Sequence, residues 1–311
     1  MCVDQLFGKG RRFFLLFLAA YLGCGDQIVV GSQQKQMVEC DSGDGIRSAG
    51  LGTGRAGVGA LLATRFSTLE ELKTVLQIEY SARDGRPLSS GQKSNSVHVS
   101  HCSNGQFVTS ILDSGISQDD ISNAQAGSFW EKANLGFNSP YAIRNRTKLQ
   151  CVLLLARRVP LKYGEGDPAF FDLALASVAN INTQDLAFRY SKDTTEKGYL
   201  NTFNHITAQA FITSIFDEDL ADFVADVHER KNMPELISGE FTSAQLLDPI
   251  DNPVDNYVDM INNEWGQELG LRLKKKYNID AATNWNSLNL TNYLNDIQAY
   301  YGWAFQIGFE P

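Results

Sequence analysis

Three consecutive segments between residues 198 and 277 have the spacing of amphipathic helices, and they constrain the fold more than any other feature. In the first, about 198–216, apolar residues recur every three or four positions and so share one helix face. Acidic residues begin the second, about 217–232, where the partial positive charge of a helix N-terminus favours them. Pro253 opens the third, about 253–277, directly after polar capping residues. The sequence therefore predicts a helical bundle built around these segments.

The rest of the chain predicts a mainly α fold, with a small mixed region in front of the bundle-like C-terminal domain. Two strand-like runs, 96–102 and 106–112, flank a turn that contains Asn-Gly, the pattern of a β-hairpin. Residues 66–83 are predicted as a helix, because leucines recur at helical spacing after a capping hydroxyl residue. The aromatic-rich residues 285–311 are predicted to form a helix that closes the core. An exposed aromatic surface for a partner or glycan is the alternative interpretation of that tail.

The N-terminal residues predict export. Lys9, Arg11 and Arg12 precede an apolar run of about ten residues, and Gly23-Cys24 follows, in the order of a secretory signal peptide. The run is shorter than the ~20 apolar residues needed to span a bilayer. YLGC resembles the lipobox of bacterial lipoproteins, which implies a lipid anchor at Cys24 that faces the periplasm or the cell surface. An ordinary signal peptide cut nearby is the alternative.

The chain then divides by composition. After Cys24 it is rich in glycine and has no periodic apolar face, as in a flexible tether without tertiary contacts. Strand and helix patterns begin only after this tether. The predicted parts are a signal peptide at 1–23, a flexible tether at 24–62, a small mixed α/β region at 63–159 and a helical domain at 160–311.

The charge of the chain limits its partners. The formal net charge is -9, whereas nucleic-acid binding requires clustered Lys and Arg. Nucleic acid is therefore excluded as the main partner. The partners that we expect are the membrane, through the anchor at Cys24, and an envelope polymer, lipid or protein.

Three cysteines remain once Cys2 is removed with the signal peptide and Cys24 is lipidated. Cys40, Cys102 and Cys151 permit one disulfide and leave one thiol over. The sequence leaves the pairing open.

Each of the three central helices carries polar residues at helical spacing beside its apolar face. Consecutive helices with short connections pack antiparallel, so these polar stripes are expected to meet. An unpaired buried polar group costs ~1–3 kcal/mol, which favours such a meeting. The candidate catalytic residues are His205, His228, Glu229 and Asp259, and the candidate binding residues are Asn201, Asp226, Asn262 and Asn263.

Imidazoles and carboxylates on packed helices suit two kinds of chemistry, metal ligation and acid–base catalysis on a hydrolytic water. A divalent metal is thus one option for a cofactor, and its identity is unknown. The alternative is a buried hydrogen-bond network that fixes helix packing, since buried polar groups must be paired. The sequence predicts an exported envelope lipoprotein, acting as a hydrolase or as a non-catalytic binding or structural module.

Three sequence blocks, in order, resemble a bacterial domain family of unassigned function. The blocks are NTFNH at 201–205, DVHE at 226–229 and VDMINNEWG at 258–266. Family members carry N-A-F-R-H, A/D-x-H-E and M-D-x-x-N-N-x-x-G there, and some lie at the C-termini of wall-associated or polymorphic-toxin proteins. The resemblance covers roughly 180–280. It departs at Val258, which replaces Met, and at Asn204, which replaces an Arg and so removes a cation that could bind an anionic group.

Overall fold

The structure is a computed structural model, and the residues that it describes are 59–81, 95–103, 106–156, 169–238, 240–247, 252–280 and 282–310. The predicted signal peptide, Cys24, Cys40 and most of the predicted tether lie outside these residues. Within them the protein is mainly α with one small antiparallel sheet, which confirms the predicted fold class. None of the described helices combines the length and apolar character needed to cross a membrane.

The secondary structure of the described residues follows in chain order. The α-helices are α1 (Leu69–Leu72), α2 (Gln118–Ala126), α3 (Phe129–Asn138), α4 (Pro140–Arg144), α5 (Arg146–Ala156), α6 (Ala169–Ala179), α7 (Gln184–Ala187), α8 (Asn201–Ile215), α9 (Glu218–Asn232), α10 (Glu235–Ser238), α11 (Ser243–Leu247), α12 (Pro253–Tyr277) and α13 (Ser287–Phe305). The strands are β1 (Leu76–Ser81), β2 (Ser96–Ser103) and β3 (Gln106–Asp113). They pair antiparallel in the order β1-β2-β3.

The helix predicted over 66–83 is wrong. Only α1 is helical, with Thr68 as its N-cap accepting a hydrogen bond from the Glu71 amide. The chain then enters β1, where Leu76 lies opposite His101 of β2. Of the leucines that suggested helical spacing, Leu69 and Leu72 lie in α1 and Leu76 begins the strand, where pairing with β2 satisfies the backbone and outweighs local helix propensity.

The hairpin is confirmed, and it packs on the helices rather than standing apart. His101 is buried, and its ring lies edge-on to Trp265 of α12 at a centroid distance of 6.4 Å. One hydrophobic core includes Val97 and Val99 of the sheet together with the apolar faces of α8, α12 and α13. The predicted mixed region and helical domain therefore share a core.

The end of the predicted tether is also part of that core. Leu61 and Leu62 are buried, and the peptide of Leu61 is held by the Asn262 side chain of α12. Asn262 Oδ1 accepts from the Leu61 amide at 2.8 Å, and Asn262 Nδ2 donates to the Leu61 carbonyl at 2.9 Å. The prediction of a free tether up to residue 62 is thus wrong for its last residues, where apolar side chains replace glycine and become buried.

The three central helices were predicted to within a few residues, because their end signals are strong. Asp217 caps α9 by accepting from the Leu220 amide at 2.9 Å. Asn252 caps α12 by accepting from the Val254 amide at 2.9 Å, and Pro253 follows at the first helical position.

Two glycines of α12 let α8 approach closely. A Cβ atom at Gly266 would lie 2.8 Å from Gln209 Cβ and 2.9 Å from the Ile206 carbonyl oxygen. A Cβ atom at Gly270, one turn further on, would lie 2.7 Å from the Ala210 carbonyl oxygen. The mid-helix glycine in the sequence therefore marks a helix–helix contact, which brings the polar stripes of α8 and α12 face to face.

The C-terminal helix α13 closes the core, as predicted. The Tyr301 ring stacks on Phe203 of α8 at a centroid distance of 3.9 Å. Its hydroxyl donates to the Phe203 carbonyl at 2.9 Å, and the Tyr293 hydroxyl donates to the Ala210 carbonyl at 3.2 Å. Buried tyrosines with bonded hydroxyls combine a large apolar area with a satisfied polar end.

Two of the three cysteines left open by the sequence are described. Cys102 on β2 is disulfide-bonded, and its partner lies outside the described residues. Cys151 on α5 is a buried thiol. Cys151 is therefore not the residue that pairs with Cys102.

Candidate functional site

The polar stripes of α8, α9 and α12 meet in one cluster. His205 Nε2 of α8 lies 3.3 Å from Asp259 Oδ2 of α12. His205 Nδ1 lies 3.7 Å from Glu229 Oε1 of α9. These distances confirm the predicted convergence of one imidazole and two carboxylates from three helices.

Asn263 fixes the orientation of the imidazole. Its Nδ2 donates to Glu229 Oε1 at 3.0 Å, so its Oδ1 points the other way and lies 2.9 Å from His205 Nδ1. Because an amide oxygen only accepts, Nδ1 carries the proton of this bond. In the neutral ring Nε2 then presents a lone pair towards Asp259. Metal-ligating histidines are commonly oriented in this way, by a hydrogen bond from the other ring nitrogen.

Asp255, a second carboxylate from α12, extends the cluster along that helix. Asn201 Nδ2 bridges the two acids, at 3.0 and 3.1 Å from the Asp259 oxygens and 3.3 Å from Asp255 Oδ1. Lys197 Nζ lies 2.7 Å from Asp255 Oδ2. Neither Asp255 nor Lys197 was among the sequence candidates.

The two missed residues differ in what the sequence offered. Asp255 stands four residues before Asp259 on the same helical face, so spacing alone would have included it. Lys197 had no such signal. It belongs to a π-helical turn at Glu196–Leu200 with a non-helical residue, Gly198, inside it, and this turn brings the ammonium group to Asp255.

Burial dominates the electrostatics of the cluster. Burial raises the pKa of Glu229 well above its ordinary value, and the neighbouring Asp259 raises it further. Burial raises the pKa of Asp255 to about 7, with Asp259 adding to the effect and Lys197 opposing it. Burial also lowers the pKa of His205. The cluster is therefore a buried site with more acid than local positive charge.

The cluster reaches the surface at His228. This residue is exposed, and its ring centroid lies 5.6 Å from that of His205. Its Nδ1 lies 2.9 Å from Gln118 Oε1 of α2. His205, His228 and Glu229 each offer a ligand atom, and these atoms lie within 4.8 Å of one another. A ligand would therefore approach from the His228 side.

Two candidate binding residues do not belong to the cluster. Asp226 accepts from Arg230 Nη2 at 2.7 Å, one turn along α9, and Arg230 Nε also donates to the Asp113 carbonyl of β3. Burial raises the pKa of Asp226 to about 7, and Arg230 opposes this rise. Asn262 is the residue that holds the Leu61 peptide. Both were predicted from helical spacing alone, whereas Arg230, one turn along the same helix, engages the Asp226 carboxylate and the Leu61 peptide engages the Asn262 amide.

The donor set fits a divalent transition metal. An imidazole nitrogen with carboxylate oxygens suits zinc, manganese or iron rather than calcium. Ligands at about 2.1 Å from a tetrahedral metal are roughly 3.4 Å apart, close to the 3.3 Å between His205 Nε2 and Asp259 Oδ2. The geometry therefore places two potential ligand atoms at a metal-compatible separation.

Comparisons with protein family models, with curated proteins and with solved structures found no match. The resemblance to the bacterial domain family of the three sequence blocks stays a prediction.

Proposed function

We propose that this protein is an exported, lipid-anchored envelope protein whose helical domain binds a divalent metal ion and catalyses a hydrolysis. The observation that carries the metal site is the 3.3 Å approach of His205 Nε2 to Asp259 Oδ2, with Nδ1 already held by Asn263. The neutral imidazole directs a lone pair at a carboxylate, an arrangement that a cation between them would stabilise.

The charge of the cluster supports a cation. Asp255, Asp259 and Glu229 are all buried, and the ammonium group of Lys197 contacts Asp255. Burying an ionised carboxylate without a counter-charge is costly, and such groups take up protons instead. The raised pKa values of Asp255 and Glu229 express this cost. A divalent ion would remove it and would return both groups to their ionised form.

The chain offers residues for the steps of a hydrolysis. A bound divalent metal supplies a water whose pKa is lowered towards neutrality. Glu229, whose Oε1 accepts a hydrogen bond from Asn263, would serve as the general base. His228, exposed at the rim, is placed to contact the substrate or to protonate a leaving group. The substrate classes are those of the envelope, namely a polymer, a lipid or a secreted protein.

The disulfide of Cys102 supports export, because disulfides persist in oxidising compartments outside the cytosol. The N-terminal signal pattern and Cys24 are the basis for the membrane anchor.

Metal analysis of the purified protein tests the site. After exposure to zinc, manganese or iron and removal of loose metal, the unsubstituted protein should retain one of them stoichiometrically. His205→Ala should lose it, whereas the control His98→Ala, on β2, should keep it. If the unsubstituted protein retains no metal under any of these conditions, the metal-site proposal is wrong.

One observation favours the second candidate function, a non-catalytic module with a structural network. The polar groups of Glu229, His205 and Asn263 already bond one another, as in a network that fixes helix packing. In that case His205→Ala would lower the midpoint of thermal unfolding equally with and without added metal. Under the metal hypothesis, added metal stabilises only the protein that retains His205.

A further inference from the structure

Four apolar side chains project from one corner of the molecule, on helices α3 and α4. Phe129, Trp130 and Phe137 of α3 are 57%, 77% and 78% exposed, and Ile143 of α4 is 41% exposed. We call these four residues the aromatic patch. None of the side chains of α3 is buried, so packing in the protein core does not account for the aromatic residues of this helix.

The patch is continuous. Trp130 and Phe137 are seven residues apart and so lie on nearly the same face of α3. The rings of Phe129 and Trp130 contact each other edge-on at 5.4 Å between centroids. Ile143 Cγ1 lies 3.4 Å from where a Cβ atom of Gly136 would stand, so α4 adds its apolar side chain beside Phe137.

Positive charge borders the patch. Between residues 128 and 150 the chain has four basic residues, of which Lys148 is paired with Asp217, and one acidic residue, Glu131, although its overall formal charge is -9. Arg144 and Arg146 are exposed, and Arg146 Nη1 donates to the carbonyl of Ile143, at the edge of the patch. Glu131 is engaged in the capping box of α3 with Ser128.

We propose that the aromatic patch and the flanking Arg144 and Arg146 form a docking surface for an anionic lipid bilayer. Exposed Trp and Phe beside Arg, on a short amphipathic helix, match the chemistry of a membrane interface, where rings enter the headgroup region and cations meet lipid phosphates. The charge of the segment opposes that of the rest of the chain, as an anionic surface requires. The residues of this surface are distinct from those of the candidate metal site.

Docking would orient the candidate site. α2 packs between α3 and α9 and contacts the exposed His228 through Gln118. Helix α2 therefore links the helices that carry the patch to the side of the cluster that opens at His228. A substrate held at the lipid surface would be presented on that side.

Co-sedimentation with vesicles tests the proposal. Every protein is the full chain with Cys24→Ser, so that a lipid anchor does not hide the contribution of the patch. Trp130→Ser with Phe137→Ser should lower the partition coefficient on phosphatidylcholine–phosphatidylglycerol vesicles by about tenfold or more, because each ring loses its apolar burial. The control pair Leu247→Ser and Leu288→Ser removes two exposed apolar side chains elsewhere and should leave partitioning unchanged.

Separate variants test the contribution of the two arginines to vesicle binding. Arg144→Gln and Arg146→Gln should each weaken binding to the anionic vesicles by about fivefold, since one cation near such a surface contributes ~1 kcal/mol. Binding to pure phosphatidylcholine should not change. The controls are Lys192→Gln and Lys275→Gln, which remove exposed cations from other helical segments.

Two results would overturn the proposal. One is equal vesicle binding by the patch variant and its control pair, with thermal unfolding showing both to be folded. The other is unchanged vesicle binding together with conversion of an oligomer to a monomer, which would assign the patch to self-association. Quenching of Trp130 fluorescence by brominated lipid, absent in Trp130→Phe, would place the ring in the bilayer directly.

Discussion

His205 and Asn263 determine each other's orientation across 58 residues of sequence. The Nδ1–Oδ1 contact of 2.9 Å sets which ring nitrogen is protonated, and the bond from Asn263 Nδ2 to Glu229 sets which way the amide points. A single amide thus links the imidazole of α8 to the carboxylate of α9, and it sits on the helix that also provides Asp259.

Removing that amide should have a measurable cost. Asn263→Ala leaves Glu229 and His205 without their shared partner, and a buried unpaired polar group costs ~1–3 kcal/mol. We expect the free energy of unfolding, from urea denaturation, to fall by that amount. Metal affinity, if the site binds metal, should fall by about 10–100-fold.

The control is Asn204→Ala, next to His205. Asn204 Oδ1 is buried and has no hydrogen-bond partner among the described residues, so its removal leaves no group unpaired and should not lower the free energy of unfolding. A loss at Asn204 equal to that at Asn263 would contradict the role given to Asn263.

The metal-free protein should lose stability as pH rises from 3.8 to about 7. Burial holds the pKa of Asp255 at about 7 in the folded protein, against 3.8 for the ordinary side chain. Between these values the folded state binds more protons than the unfolded state, so the free energy of unfolding decreases with rising pH. A shift of this size corresponds to at most ~4 kcal/mol.

Asp255→Asn tests this pH dependence. The amide cannot ionise, so the fall in unfolding free energy between pH 5 and pH 8 should be reduced, as measured by chemical denaturation at each pH. The exposed Asp185→Asn is the matched substitution and should leave the profile unchanged. An unaltered slope in Asp255→Asn would show that another group, such as Glu229, carries the effect.

The contact between α8 and α12 should not tolerate a methyl group at Gly266. Gly266→Ala gains up to ~1 kcal/mol of helix propensity. Its Cβ would nevertheless stand 2.8 Å from Gln209 Cβ and 2.9 Å from the Ile206 carbonyl oxygen. Overpacking typically costs ~1–3 kcal/mol, so we expect net destabilisation in thermal unfolding.

Gly136→Ala is the opposite case. A Cβ atom there meets Ile143 Cγ1 at 3.4 Å, which is ordinary contact, and α3 should be stabilised by up to ~1 kcal/mol. If both alanines stabilise the protein, the close approach of α8 to α12 is not tight.

The anchor is tested in cells. A palmitate analogue should label the unsubstituted protein, and the Cys24→Ser variant should not be labelled. Cys151→Ser, at a buried thiol of α5, is the control and should leave labelling intact. Labelling that survives Cys24→Ser would exclude the lipoprotein hypothesis.

The sequence predicted the structure best where the residues that mark a helix end lie in or next to that same helix. The ends of α9 and α12 followed from Asp217 and Pro253, and the convergence of His205 with Asp259 followed from pairing their stripes. It was wrong over 66–83, where leucine spacing suits a helix but strand pairing with β2 decides the conformation.

The other source of error in the sequence predictions was the partners that bind polar side chains at the edge of the site. Asn262 and Asp226 were assigned to the site from helical spacing, which predicts the edge of a helix face with an error of about one side chain. Whether a residue at the edge of that face turns to the cluster depends on what packs beside it. Leu61 captures Asn262 and Arg230 captures Asp226. Arg230 stands four residues after Asp226 on the same helix and could have been anticipated from spacing, whereas nothing near Asn262 in the sequence indicates Leu61 as its partner.

The bond between Leu61 and Asn262 has a mechanical consequence. Among the described residues the chain enters the core at 59–62, where the Gly59 amide donates to Ser103 Oγ of β2 and the Asn262 side chain of α12 bonds both the amide and the carbonyl of Leu61. Asn262 lies three residues from Asp259 on the same rigid helix. Tension on the preceding chain would therefore pass to the sheet through the Gly59 amide and, two residues later, directly to the helix that carries Asp259.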